Sequence, residues 1–294
     1  MLTEDSIKEQ PVFKSKKGNI SHKDFVIALK KLGIESGDTL FLHTQLMAFG
    51  RLNSKIGKTR TEIFDLIIDV LNEVIGDSGN LLMTTFSSQT LHSRKFDISS
   101  TPSEGGVLTE YFRTLPNVNR SLHPTHSFAM SGPDNELLNI DNSVFGDDSI
   151  YGKLYSKNAT LLFFGARFHY CTFNHYIEEK ANVSYRKKRS VKFELINGNS
   201  VKHVTYYQYF KSNRFRVNFD KLERRLVEKG LLKSVNIGSG KILSVKSRDL
   251  FDTGYQLLKE DKYGFLDAKP LLSYWTTELK SHIKMRLIKL LLSL

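Results

Sequence analysis

Residues 39–43 (TLFLH), 59–75 (TRTEIFDLIIDVLNEVI) and 80–86 (NLLMTTF) decide the fold. The first and third are short apolar runs of strand length. In the second, Ile63, Phe64, Ile67, Val70, Leu71 and Val74 recur at helical spacing and form one apolar stripe, closed by Gly76 and Gly79. A strand, a helix and a strand in that order predict a crossover unit. Upstream, residues 21–33 read as a helix with Ser21 as N-cap. Downstream, Gly105-Gly106 precede a short helix (VLTEYFRTL), residues 127–132 and 159–165 read as buried strands, and residues 171–181 as a helix. Residues 190–206 read as a hairpin turning at Asn197-Gly198. Helices near 219–229 and 247–259 and a strand near 241–245 complete an α/β order. With no repeat and no Pro/Gly linker, the expectation is one α/β domain over residues 1–275 and a basic amphipathic C-terminal helix over 276–294. That helix carries four basic residues and one acidic residue.

Composition narrows the class. The chain has 294 residues, 40% hydrophobic and 25% charged, which excludes collagen-like, low-complexity and largely disordered chains. Its one cysteine, Cys171, allows no intrachain disulfide. The first ten residues are polar, and no apolar run approaches the ~20 residues of a membrane-spanning helix. A soluble, cytoplasmic protein is expected. Charge is asymmetric: residues 1–150 hold 15 basic and 19 acidic residues, residues 151–294 hold 28 and 12, so the balances are −4 and +16. The densest basic run is Arg186-Lys187-Lys188-Arg189. Such a field favours anionic partners, or is simply a solvated face.

Two clusters can carry chemistry. Arg120-Ser121-Leu122-His123-Pro124-Thr125-His126-Ser127 gathers an arginine, two histidines and hydroxyls before a buried strand, and reads either as an anion-binding loop or as a polar turn. In Thr172-Phe173-Asn174-His175-Tyr176-Ile177-Glu178-Glu179, His175 and Glu178 stand three apart on a helix face. A carboxylate there raises the basicity of the imidazole, as a general base needs; the same spacing also describes an ordinary surface pair. Cys171 lies four residues before His175, so a thiol–imidazole pair is a further possibility, with an inert buried thiol the commoner case. HExxH is absent, and Gly50 stands seven rather than five residues before Gly57, so zinc-protease and Walker motifs are excluded.

The order of these clusters resembles the aminoglycoside N3-acetyltransferase, or antibiotic acetyltransferase, family. The resemblance runs through His43-Thr44-Gln45-Leu46, the helix after Gly57, Thr85-Phe86-Ser87, Gly106 to Arg113, Arg120 to Gly132, Phe145-Gly146, and Thr172 to Glu178. It implies a three-layer α/β/α fold unlike the GNAT acetyltransferases, and direct transfer of acetyl from acetyl-CoA to an amine without a metal. By the matching motif, His175 is the general base, Glu178 its orienting partner, and Thr172 or a backbone N–H the oxyanion donor. CoA is expected against His43, Thr44, Gln45, Leu46, Gly57, Lys58, Ser87, Arg120, Ser121, His123 and Ser127. Where the family has paired glycines and a serine, this chain has Gly57-Lys58 and Gln45.

For the acceptor, the +16 half suggests an anionic amino sugar, linked to a nucleotide and used in surface-polysaccharide synthesis, with Glu179, Arg186 and Lys187 as substrate contacts. The resemblance extends to family members of that kind, in residues 172–179 and 183–186. The alternatives are aminoglycoside 3-N-acetylation conferring antibiotic resistance, and a non-enzymatic nucleic-acid or membrane-binding module. For the enzyme, no nucleic-acid partner is expected; a homodimer and peripheral membrane contact by the C-terminal helix stay open.

Overall fold

Ser21 caps its helix as the sequence suggests. Its hydroxyl accepts from Asp24 N (3.2 Å) while the Asp24 carboxylate accepts from Ser21 N (2.8 Å), a reciprocal capping box. In the computed structural model, which describes residues 11–53, 60–212 and 215–267, the elements in chain order are β1 (Pro11–Lys14), β2 (Ile20–Ser21), α1 (His22–Lys31), β3 (Thr39–Thr44), β4 (Arg51–Leu52), α2 (Arg60–Ile75), β5 (Asn80–Thr84), β6 (Lys95–Asp97), α3 (Val107–Phe112), β7 (Asn119–Arg120), β8 (Phe128–Ser131), α4 (Ile150–Ser156), β9 (Thr160–Phe164), α5 (Asn174–Lys180), β10 (Arg186–Asn197), β11 (Ser200–Lys211), α6 (Asp220–Glu228), β12 (Lys233–Ile237), β13 (Gly240–Lys246) and α7 (Ser247–Glu260). The segment expected as a C-terminal helix lies outside the described residues.

The crossover unit forms the middle of a seven-stranded sheet of order β12-β13-β9-β3-β5-β8-β7. β9, β3 and β5 run parallel, and the outer strands are antiparallel. Alternation along the strands divides the core. Phe41, Leu82, Phe128, Leu161, Phe163 and Val245 face α4, α5, α6 and α7. Leu40, Leu42, Met83, Ala129, Leu162, Phe164 and Ile242 face α1, α2 and α3. The sheet is covered on both faces, which is why its central strands read as continuous apolar runs. The α/β class and the three layers are as expected.

The ends of β3, β5 and β9 and the start of β8 share one edge of the sheet, where loops from four strands meet. Gly165 closes that edge. It has φ +76°, and a Cβ there would stand 2.5 Å from Gln45 O, so the end of β9 can approach β3 only with glycine.

Two boundaries differ from the sequence reading. The helix expected from residue 171 starts at Asn174, because Phe168–Tyr170 form a 3-10 turn that leaves Cys171 outside it. The hairpin strands have 12 residues each and begin at Arg186, so the basic run is a strand. Four consecutive cations hide the alternation that marks strands elsewhere. Its turn falls one residue later, at Gly198-Asn199, where Gly198 takes φ +58° and Asn197 pairs with Ser200. Among the described residues, no helix is long and apolar enough to cross a membrane.

Phe164 is fully buried, 4.8 Å centroid to centroid from both Phe25 and Phe49. Phe164→Ala should lower stability by about 3–5 kcal/mol, read as a fall in the urea midpoint at unchanged m-value.

Candidate active site

The loop at residues 120–127 is built around a buried guanidinium. Arg120 Nη1 donates to the Ile98 carbonyl (3.2 Å) and the Thr101 carbonyl (2.5 Å), and Nη2 to the Thr85 carbonyl (3.0 Å). Its Nε lies 3.1 Å from Ser127 Oγ and 3.2 Å from Thr85 Oγ1, and Phe96 packs on its face at 4.9 Å. Burial pulls its pKa down to about 10, so the group stays charged. Ser127 Oγ donates to Thr85 O (2.7 Å), Ser87 Oγ to Pro102 O (2.6 Å), and Ser121 Oγ accepts from Phe128 N (2.9 Å). His123 is buried, and its Nδ1 accepts from His126 N (3.1 Å). The sequence reading assigns Ser87, Arg120, Ser121, His123 and Ser127 to CoA contact. In the structure their side chains are inside the protein; those of Ser87, Arg120, Ser121 and Ser127 are held by protein partners, and that of His123 is so held at Nδ1. They build the platform of the loop, and Nε2 of His123 is left without a protein partner.

The second cluster assembles at the sheet edge. Asn174 to Lys180 form α5, and one helical turn brings His175 Nδ1 to 2.7 Å from Glu178 Oε2. Glu178 is fully buried, while the His175 side chain keeps 24% exposure. Arg186, the first residue of β10, closes on the pair from the hairpin. Its Nε stands 2.6 Å from Glu178 Oε2 as an ion-pair contact without hydrogen-bond alignment, and its side chain is 7% exposed. Its Nη2 lies 2.9 Å from His175 Nδ1. That nitrogen holds one role: with its hydrogen directed at Glu178, Arg186 is a neighbouring charge and not a donor to it. Nε2 is then the basic nitrogen. Burial disfavours ionisation of Glu178, but His175 and Arg186 outweigh it and hold the carboxyl below its ordinary value. Burial, aided by Arg186 and His169 and opposed by Glu178, holds the imidazolium pKa of His175 below 6.5. The arrangement is a neutral imidazole with a fixed tautomer, backed by a carboxylate.

Other groups frame this pair. The rings of Phe145 and Phe219 stand 5.8 and 5.9 Å from the His175 ring. His126 is a neighbour that sequence reasoning quoted but did not single out. Its Nδ1 is 2.8 Å from Thr125 Oγ1, which donates to Gln208 Oε1 at 2.9 Å. Burial, with the charges of His175 and Arg186, pushes its pKa down to about 3, so it is neutral. The cluster of two histidines in eight residues was the available signal. Phe145 lay within the family resemblance, while Phe219 gave no signal in the sequence.

Cys171 is buried, and burial pushes its thiol up to about 12. A nucleophilic thiol is thereby ruled out at neutral pH. The Thr172 hydroxyl is buried against Tyr151. His43, at the end of β3, is buried with its ring stacked 4.9 Å from Phe163 and its pKa lowered to about 3 by burial. Thr44 is half-buried, Gln45 is exposed at the edge, and Leu46 is buried. Gly57 and Lys58 lie outside the described residues.

The basic run does not form one cradle. Strand pleating turns Arg186 and Lys188 toward α5, where they meet Glu178 and Glu179 (Lys188 Nζ to Glu179 Oε1, 3.6 Å). Lys187 and Arg189 take the other face. Half of the run is thus neutralised within the protein.

The family described as Aminoglycoside 3-N-acetyltransferase matches residues 41–259, most of the chain and all of the site. The chain belongs to that family. This aminoglycoside 3-N-acetyltransferase homologue is therefore an acyltransferase of acetyl-CoA-using type. It is 27% identical over 244 residues to aminoglycoside N(3)-acetyltransferase IV of Salmonella sp, covering 81% of this chain and 87% of that protein. The solved apoenzyme of aminoglycoside acetyltransferase AAC(3)-IVa superposes with a TM-score of 0.67 at 25% identity, over 84% of this chain and 91% of that one. AAC-IIIb, solved as a binary complex with CoASH, shares the fold with a TM-score of 0.67 at 20% identity, over 81% and 96%. The α/β fold is that of these enzymes.

Arg120→Lys cannot reproduce the guanidinium's fan of contacts and leaves buried carbonyls unpaired. It should lower stability by about 3 kcal/mol, seen as a drop in the thermal midpoint of the ligand-free protein. A pure CoA contact would leave that midpoint in place.

Proposed function

We propose that the protein transfers acetyl from acetyl-CoA to the amine of an amino sugar by direct attack, with His175 as general base and Glu178 as its orienting partner. The single supporting observation is the 2.7 Å His175–Glu178 contact, buried on the carboxylate side and open at the imidazole. His175 Nε2 takes a proton from the acceptor ammonium. The free amine then attacks the thioester carbonyl, and a donor must meet the oxyanion that forms. Collapse breaks the C–S bond, leaves the amide, and the thiolate regains a proton as CoASH. The carboxylate of Glu178 balances the imidazolium of His175 during the transfer, and Arg186 keeps that carboxylate ionised.

The cosubstrate is assigned to the sheet edge. Met47, Val107, Leu122 and Tyr170 are large apolar side chains left exposed there, at 68%, 67%, 38% and 53%. They suit an apolar acyl-pantetheine arm. His43, Thr44, Gln45 and Leu46 sit at the same edge; Thr44, Gln45 and Leu46 contribute its rim through the turn at the end of β3. Acetyl-CoA supply places the reaction in the cytoplasm.

Of the two acceptor readings, aminoglycosides are the one the relatives' names favour. A nucleotide-linked amino sugar of polysaccharide synthesis is the second, and rests on the +16 balance of residues 151–294. Pairing of Arg186 and Lys188 with α5 reduces what the basic run adds to it.

Thiol release from acetyl-CoA across amino sugars, nucleotide amino sugars and aminoglycosides tests the reaction. His175→Ala should cost about 10²–10⁴-fold in kcat/KM. The rate should rise with pH as His175 loses its proton, with the acidic limb below pH 6.5, since the folded protein lowers that pKa. Glu178→Gln removes the group that raises it, so the limb should move to still lower pH while kcat falls. An unchanged profile in Glu178→Gln would remove the general-base assignment.

A further inference from the structure

His175 is not alone in offering a free Nε2. His126, from the platform loop, stands 5.8 Å from the Phe145 ring at 71°, and His175 stands 5.8 Å from the same ring at 75°. No more than twice that distance separates the two imidazole centres. Adjacent residues of β11 anchor both. Gln208 Oε1 accepts from Thr125 Oγ1 (2.9 Å), which lies 2.8 Å from His126 Nδ1. The Tyr209 carbonyl accepts from Arg186 Nη1 (3.5 Å), and Arg186 meets Glu178, the partner of His175. The groups that face His126 are His123 in its own loop, the rings of Phe86 and Phe145, Thr125 and Gln208, and the charges of His175 on α5 and Arg186 on β10.

Hydrogen-bond counting fixes the tautomer of each ring. A threonine hydroxyl has one hydrogen, and that of Thr125 goes to Gln208 Oε1. Thr125 Oγ1 then turns a lone pair to His126, so Nδ1 of His126 carries the hydrogen and Nε2 is bare. His175 reaches the same state through Glu178, with Nδ1–H on the carboxylate and Nε2 bare. Among the described residues neither Nε2 has a hydrogen-bond partner, and both side chains are only partly buried. The two nitrogens of an imidazole point nearly opposite ways, so each Nε2 points away from the group that holds its Nδ1. His126 stays neutral at working pH, since burial, His175 and Arg186 bring its pKa down to about 3. One aromatic wall thus carries a base and a permanent acceptor.

We infer that His126 is a second catalytic residue, whose Nε2 accepts a hydrogen bond from the nitrogen to be acylated and turns that nitrogen's lone pair onto the thioester. The need is geometric. A proton that leaves the ammonium for His175 Nε2 leaves a lone pair facing His175, not acetyl-CoA. Attack requires the nitrogen to turn about its C–N bond until the lone pair meets the carbonyl carbon. Of the two N–H bonds that remain, one then meets His126 Nε2, and that contact fixes the turn. His126 takes no proton. The new C–N bond forms from the nitrogen lone pair, and the C–S bond breaks with its electrons on sulfur. Of the two protons the nitrogen loses, one ends on the thiolate and one leaves through His175 to solvent. The inference rests on the acyl-transfer reading, but one of its tests needs no turnover.

Thiol release from acetyl-CoA, with gentamicin and with glucosamine as amines, is followed from about pH 5 to 9 in the full chain, His126→Phe, His126→Gln and His175→Ala. His126→Phe keeps a ring between Phe86 and Phe145 and should lower kcat roughly tenfold or more, the scale of one hydrogen bond to a charged group, at unchanged KM for acetyl-CoA. The acidic limb should stay in place, because Glu178, Arg186 and His169 set the charge of His175 and His126 does not. The amide oxygen of His126→Gln can accept, so that variant should recover part of the rate. A kcat in His126→Phe within about twofold of the unaltered chain, a displaced acidic limb, or a glutamine variant no better than phenylalanine would each overturn the inference. Nitrogen-15 spectra of the histidines in the unaltered chain need neither turnover nor a folded variant. His126 should show a protonated Nδ1 and a bare Nε2 at neutral pH, and the Nε2 signals of both histidines should move when either amine is added. A protonated His126 Nε2, or a signal that ignores both amines, would overturn the inference. Rate loss in His175→Ala but not in His126→Phe would overturn it and keep the acyl-transfer reading. Movement of both Nε2 signals without thiol release would uphold the contact and remove that reading.

Discussion

A carboxylate with no exposure has to be compensated, and Glu178 sets the terms for the whole site. A buried charge without a partner is costly by several kcal/mol. His175 from the same helix and Arg186 from the hairpin meet it, with the Tyr185 hydroxyl beside them. The ion pair therefore fixes the long hairpin against α5, and with it Tyr209, whose hydroxyl donates to Glu178 O at 3.4 Å and whose carbonyl accepts from Arg186 Nη1 at 3.5 Å. Loss of any member leaves the others buried and unbalanced. The chemistry and the packing of this region are the same set of contacts.

A second buried cation does related work on the other side. Arg120 gathers carbonyls of residues 85, 98 and 101 with the hydroxyls of Thr85 and Ser127, and so ties the ends of β5 and β8 to the segment after β6. From that platform Thr125 reaches Gln208, and Tyr206 donates to Leu122 O at 2.8 Å. The hairpin is held by α5 on one face and by the loop on the other. Pleating explains this: alternate residues of β10 and β11 point to opposite sides, so one strand pair serves both. His175 and His126, from the two sides, are each kept neutral by burial first and by Arg186 in addition.

The charge of the chain and the charge of the site are different quantities. Residues 151–294 carry a balance of +16. Yet the cations that reach α5 are matched: Arg186 by Glu178 and Lys188 by Glu179. Net charge governs long-range attraction, while the local arrangement selects which ligand is held.

Much of the fold was legible in the sequence. Apolar periodicity located α2, the central strands and the helices at the chain's C-terminal side, Ser21 marked the start of α1, and the spacing of His175 and Glu178 put them on one face, because each of these is a local property of neighbouring residues. What the sequence did not settle is which polar groups face inward. Arg120, Ser127 and Ser87 are residue types that bind anions, and equally types that satisfy buried carbonyls; only the tertiary structure brings the carbonyls of residues 85, 98, 101 and 102 to them. Arg186 was read with Lys187 as a substrate contact, and only strand pairing put it against Glu178. Long-range proximity, which brings residues 126, 175, 186 and 219 to one edge, is a property of the sheet and leaves no mark in local sequence.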